Sequence, residues 1–161
     1  MTRVDEVLFL DTNILLAATD ESRDHHLLAG RLLAASGSFG QRCALSGQII
    51  REYLVVATRG VEANGLGLDA ADALANAELL AARLEFCEET ESVSTRLRSL
   101  VRAHNWTGKK IHDANVVATM NAHGITRLVT DNPADFQAYR DITVITLSEG
   151  QLLFGGSTAL A

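Results

Sequence analysis

The stretch that decides the fold is VLFLDTNILL, Val7 to Leu16. Four apolar residues run directly into Asp11, Thr12 and Asn13, and Ile14, Leu15 and Leu16 follow. A short apolar run ended by polar residues reads as a buried strand, and the residues after it as the start of a helix. A carboxylate between two buried segments is costly unless it is partnered. Thr12 and Asn13 are therefore expected to satisfy the backbone or to hold Asp11 in orientation. Position matters as well, because α/β sheets place their sites just outside the carboxyl ends of strands.

Outward from this segment, short apolar runs alternate with amphipathic stretches, which predicts βα units around a mainly parallel sheet. RCAL (42–45), LEFC (84–87), ITRLVT (125–130) and ITVITL (142–147) are the further strands. Asp24 is the expected N-cap of a helix over HHLLAGRLLAAS, and Ser46 that of GQIIREYLVVATR. In the latter, Ile49, Ile50, Tyr53, Leu54 and Ala57 form the apolar face, with Glu52 at its margin. EANGLG (62–67) is a loop. Asp69 and Asp72 make a capping pair for the Ala/Leu-rich helix that follows. SVSTRLRSLVRAH and HDANVVATMNAHG are two more helices, the second closed by Gly124. With no repeat, low-complexity tract or linker, residues 1–161 are expected to form one domain.

Composition excludes several classes. Cys43 and Cys87 are far apart and form no CxxC pair, so neither a zinc knuckle nor a disulfide framework is indicated, and a reducing, cytoplasmic setting is expected. No apolar run approaches the ~18 residues of a membrane span, and Asp5, Glu6 and Asp11 interrupt any signal-peptide core. The net charge of −6 argues against coating of nucleic acid by bulk charge. It leaves room for a nucleic-acid enzyme whose acids are gathered at a metal.

Asp131 follows ITRLVT as Asp11 follows VLFL, Asp113 lies at a helix start, and Glu52 lies about two turns into its helix. Taken singly, Asp113 and Asp131 read equally well as caps or turn residues, and Glu52 as a solvated helix residue. Taken together, four carboxylates without balancing cations call for a hard divalent ion, Mg²⁺ or Mn²⁺.

FLDTNILL, SGQIIREYL, KIHDANVVATMNAHGITRLVTDNPADF and ITVITL, in that order, resemble a PIN domain, in particular the ribonuclease toxins of bacterial VapBC toxin–antitoxin pairs. Residues 60–108 match only in pattern. The resemblance implies a three-layer α/β/α fold and a metal-dependent endoribonuclease. It maps an acidic quartet onto Asp11, Glu52, Asp113 and a fourth acid. Asp131 is favoured for that fourth place because it directly follows a strand, with Asp135 of the Asp-Phe pair as its competitor. Asp11 and Asp113 would bind the metal directly, while Glu52 and the fourth acid would hold its waters or a second ion. A small antitoxin and a second copy of the chain are the implied protein partners, RNA the substrate.

Arg96, Arg98, Arg102, Lys109 and Lys110 make the region before HDA basic, although such runs are ordinarily solvated faces. Trp106 has a base-stacking reading, but a partly buried anchor is the first expectation. The five histidines show no metal-ligand spacing. A haloacid-dehalogenase-type phosphatase would need D-x-D where Asn13 stands, and a response-regulator receiver would need a mid-chain acceptor Asp and a late Lys. The remaining rival is a catalytically silent PIN-type RNA-binding or scaffold module.

Overall fold

The computed structural model describes residues 6–37 and 40–149; the ends of the expected 1–161 domain lie outside them. Strands β1 (Leu8–Leu10), β2 (Cys43–Ser46), β3 (Glu85–Cys87), β4 (Arg127–Val129) and β5 (Thr143–Ile145) form one sheet in the order β3-β2-β1-β4-β5. Every pairing is parallel. Six helices lie complete within the described residues: α1 (Thr12–Thr19), α2 (His26–Ala35), α3 (Gly47–Thr58), α4 (Ala70–Ala81), α5 (Glu91–His104) and α6 (Lys110–Ala122). Short 3₁₀ turns occupy Val61–Ala63 and Pro133–Phe136.

From β1 the chain moves outward through β2 to β3, then crosses back to β4 and β5 on the other side. Parallel crossovers are right-handed, so this reversal places α5 and α6 on the opposite face from α1 to α4. The packing agrees: α1 contacts α2 and α3, α3 contacts α4, and α5 pairs with α6. The result is the expected three-layer α/β/α arrangement. The reversal also makes a switch point between β1 and β4, where Leu8, Phe9 and Leu10 stand in register with Arg127, Leu128 and Val129.

All three β1 residues are buried, as a strand covered on both faces requires. Ile14, Leu15 and Leu16 continue that core into α1, each contributing about 1.5–3 kcal/mol on burial. The sheet edges are more open, and Phe86 on β3 is 58% exposed. Among the described residues no helix is long and apolar enough to cross a membrane.

Helix ends follow the sequence reading in some places and depart from it in others. Asp69 caps α4 through the Asp72 N–H as expected. Gly124 (φ 68°) follows α6 in the left-handed region that glycine adopts without penalty. Asp24, however, does not cap α2: His25 occupies that position with φ 65° and makes no side-chain cap bond. Ser46 stands at the N-cap of α3, but its buried hydroxyl has no hydrogen-bond partner among the described residues. The Gln48 N–H is taken instead by Glu89 Oε1 at 2.7 Å. A charged oxygen from the β3–α5 connection thus does what the serine was expected to do, because charge-assisted bonds at a helix N-terminus are the stronger ones. Helix α6 begins at Lys110, so Asp113 lies within its first turn.

Candidate active site

Asp11 ends β1 and opens α1. Its N–H continues the sheet ladder to the Val129 carbonyl at 3.0 Å, which aims the side chain at the β1–β4 switch point. Carboxylate Oδ1 accepts from the Thr12 N–H at 2.8 Å, and Oδ2 from the Thr130 hydroxyl at 2.7 Å and from Asn13 Nδ2 at 3.4 Å. Asn13 also donates to Thr130 Oγ1 (3.2 Å) and accepts from the Asp131 N–H (3.2 Å). The Asp-Thr-Asn motif therefore ties the ends of β1 and β4 together, the orienting role expected of its second and third residues. Burial holds the Asp11 carboxyl above its usual range; the Thr130 and Thr12 bonds work against this, and the charges of Glu52 and Asp135 add to it.

Glu52 projects from α3 toward the same point. The Thr12 hydroxyl donates to its Oε2 and Gln48 Nε2 to its Oε1, both at 2.8 Å. Thr12 thus holds one acid with its backbone and another with its side chain. Gln48 is only 1% exposed, and its Nε2 also donates to the His112 carbonyl at 3.0 Å. Asn115 Nδ2 in turn donates to Gln48 Oε1 (2.7 Å) and Glu89 Oε2 (3.2 Å). This chain of amides joins the start of α3 to the start of α6 and leaves Glu52 one orientation. Gln48, Asn115 and Glu89 were not singled out from the sequence. Gln48 carried a local signal, lying four residues before Glu52 on the same helix face; Glu89 carried none.

Asp113, on α6, is half-buried and makes no hydrogen bond to a described residue. Burial and the charge of Asp135 push its carboxyl up to about 6; Lys109 opposes the rise, and Asp11 and Glu52 add to it. Asp135 lies on the 3₁₀ turn after β4, with Lys109 Nζ 3.3 Å from its Oδ2. Its charge acts on both Asp11 and Asp113.

Asp131 is placed differently. Its Oδ1 lies 3.4 Å from His25 Nδ1, and His25 Nε2 lies 3.5 Å from Ser148 Oγ. The strand-end argument that favoured Asp131 holds for its backbone, which bonds Asn13, but its side chain turns toward the start of α2. The charges of Glu52 and Asp135 thus act on both Asp11 and Asp113, whereas the Asp131 carboxylate lies against His25. Of the basic residues, Lys109 borders these acids through Asp135, and Lys110 lies over the Trp106 ring. Arg98 bends back to donate to Ser94 O on its own helix at 3.3 Å.

Among the described residues, no three His, Cys, Asp or Glu side chains close into a ready coordination shell. The donor set nevertheless fits a hard cation that keeps most of its waters: it is all oxygen, and its members raise one another's affinity for a positive charge. Mg²⁺ is typically held by one or two carboxylates with water filling the remaining positions.

Comparison with known proteins agrees with this architecture. A sequence model of the PIN domain matches residues 8–141. Solved structures share the fold, among them the following three. VapBC from Salmonella typhimurium, bound to DNA, is 18% identical, with a TM-score of 0.63 over 88% of this chain and 98% of that one. VapBC2 from Rickettsia felis, bound to a fragment of promoter DNA, is 18% identical, with a TM-score of 0.62 over 87% and 98%. VapC20 from Mycobacterium tuberculosis, described as a toxin that cleaves the sarcin–ricin loop, is 19% identical, with a TM-score of 0.61 over 83% and 95%. No curated protein matches significantly in sequence. The chain belongs to the PIN domain family.

Proposed function

We propose that this PIN-domain chain is a metal-dependent endoribonuclease and the toxin half of a toxin–antitoxin pair. The observation that carries the reading is the group Asp11, Glu52, Asp113 and Asp135 at the sheet's switch point. The ionisable nitrogens beside it among the described residues are Lys109 Nζ, 3.3 Å from Asp135 Oδ2, and His112 Nδ1, 4.0 Å from Glu52 Oε1.

Asp11 and Asp113 are the residues that would hold Mg²⁺ or Mn²⁺, since one is fixed by three donors and the other has its oxygens free. Glu52 and Asp135 would orient the ion's waters. When bound, the ion supplies a more acidic water and a positive charge beside the scissile phosphate. The protein's part is positional. Thr12, Thr130 and Asn13 fix Asp11, and Gln48 and Thr12 fix Glu52, so the acids spend little reorganisation on meeting the substrate. A held cation also lets a chain of net charge −6 approach a polyanion.

The named toxin–antitoxin structures that share the fold support a small antitoxin as partner, and the same reading calls for a homodimer. A silent binding module is the weaker reading, because four mutually repelling carboxylates have no use in a site that holds no cation. Incubation with single-stranded RNA tests the choice. Internal cuts bearing a 3′-hydroxyl and a 5′-phosphate are expected, abolished by EDTA and restored by Mg²⁺ or Mn²⁺. Cutting that persists in EDTA, or products ending in a cyclic phosphate, would overturn the mechanism.

A further inference from the structure

Beside the acids, between α5 and α6, lies an aromatic group that the hydrolytic site does not use. His104, the last residue of α5, stacks on Trp106 with ring centroids 5.0 Å apart and planes 9° from parallel. Tyr139 meets both edge-on or tilted, at 5.9 Å and 6.4 Å. Lys110 Nζ sits 4.3 Å from the centroid of the Trp106 ring.

Side chains two apart on a helix point away from one another. Here Asn105 takes the left-handed conformation (φ 54°) and ends α5 between the two rings, which brings them face to face. Asparagine tolerates that conformation better than most residues. Trp106 is half-buried and Tyr139 buried, whereas His104 and Lys110 are exposed. Stacking on His104, the Lys110 ammonium and the neighbouring Tyr139 ring hold the indole in place.

The group adjoins the acids on two sides. Lys109, next to Lys110, is paired with Asp135. The charge of Asp113 reaches Tyr139, adding to the burial that pushes its hydroxyl up to about 12. A ring that served only to anchor α5 would need neither an exposed partner on its face nor an exposed lysine over it. A flat ring stack that presents an exposed imidazole and carries a lysine ammonium over its indole is the chemistry that receives an unstacked base and its phosphate.

Resting on the ribonuclease reading above, we propose that the His104–Trp106 stack binds one nucleobase of single-stranded RNA next to the acid cluster, with Lys110 contacting the adjoining phosphate. Recognition is through a π-face, so this subsite selects unpaired over paired strands and is tolerant of base identity.

Trp106 is the chain's one tryptophan, so its fluorescence reports on the subsite without any substitution. With Ca²⁺ in place of Mg²⁺, to keep a cation at the acids without supporting cutting, the full chain is titrated with a single-stranded RNA of about ten nucleotides and with an abasic ribose-phosphate oligomer of equal length and charge. A saturable change in Trp106 emission is expected with the RNA and not with the abasic oligomer. Exposed His104 allows a mild variant: His104→Ala should keep the native melting temperature and weaken RNA binding about tenfold, leaving abasic binding unchanged. RNA that binds by anisotropy while Trp106 emission stays constant would overturn the proposal, as would equal affinity for both oligomers or no binding of either. Cleavage in Mn²⁺ is followed in parallel. Cutting with a silent Trp106 sinks the base subsite alone, and base-dependent quenching without cutting sinks the nuclease reading alone.

Discussion

Asp11 and Glu52 stand in a lattice of side-chain hydrogen bonds, whereas Asp113 and Asp135, opposite them, have a single lysine between them. The first pair sits where two strands and the start of α3 converge, so neighbouring donors are plentiful. The second pair sits on a helix start and a 3₁₀ turn. The contrast teaches that a cluster of like charges is not built uniformly. One half is bound into the fold, and the other is left to be satisfied by what the site receives.

The largest effect that tests this contrast is on cleavage. Asp113→Asn should cut RNA hydrolysis by orders of magnitude. It should also leave the EDTA-treated protein as stable as the native chain or up to ~1 kcal/mol more stable, and erase the stabilisation that Mn²⁺ gives by binding the folded state. Asp11→Asn should abolish cleavage as well, but should destabilise by about 1–2 kcal/mol, because an amide placed against the Thr130 hydroxyl and the Thr12 N–H mismatches their hydrogen bonds. Thermal melts of both variants in EDTA and in Mn²⁺ decide the matter. Equal melting in EDTA would dissolve the distinction between the halves, and an undiminished gain from Mn²⁺ in Asp113→Asn would remove that residue from the ligands.

A smaller effect separates the two aspartates after β4. Asp135→Asn is expected to slow cleavage at least about tenfold, the scale of a residue that orients water around an ion. Asp131→Asn should change it less than about twofold, because that side chain faces His25. The reverse ranking would return Asp131 to the site.

Gln48→Leu sharpens the bound half. It should lower kcat about tenfold while leaving KM near native, and cost about 1–3 kcal/mol, because Asn115 and the His112 carbonyl lose a buried partner. A loss of stability at native kcat would mean that Glu52 holds its orientation without the amide chain.

The smallest effect is on the pH dependence of stability. Folding raises the Asp113 carboxyl from 3.8 to about 6, so between those values the folded state binds more protons than the unfolded state and stability falls as pH rises. Asp113 is half-exposed, and solvent screening limits the effect to about 1 kcal/mol. In EDTA the melting difference between native and Asp113→Asn proteins should therefore be near zero at about pH 4 and grow to its full size by about pH 7. A difference that shrinks with rising pH would reverse the assigned sign.

Much of this architecture was legible in the residues. The five strands and the helices between them follow from apolar period, and each expected strand overlaps an observed one within a residue or two. Asp11 stood out because a charge between two apolar segments is a local anomaly that one chain stretch displays by itself, whereas Glu52 and Asp113, bland when taken singly, were legible only as members of the set that resembles the PIN domain. Asp24 and Ser46 misled because a capping residue type can be read locally while its bond cannot. At α2 the left-handed His25 took the turn, and at α3 a glutamate distant in sequence supplied the oxygen.

The sequence by itself determined the layered α/β plan, the place of the switch point after VLFL, and Asp11 as the acid at that point. These depend on hydrophobic periodicity and on the cost of an unpartnered charge, which act over a few consecutive residues. Only the tertiary structure decided that Asp135 faces Asp113 while Asp131 faces His25, that Gln48 and Asn115 steady Glu52, and that Asn105 turns two rings into a stack. Side-chain direction in a loop is set by backbone dihedrals and by partners far along the chain: Thr130 is 119 residues from the carboxylate it serves, and no local pattern encodes that meeting.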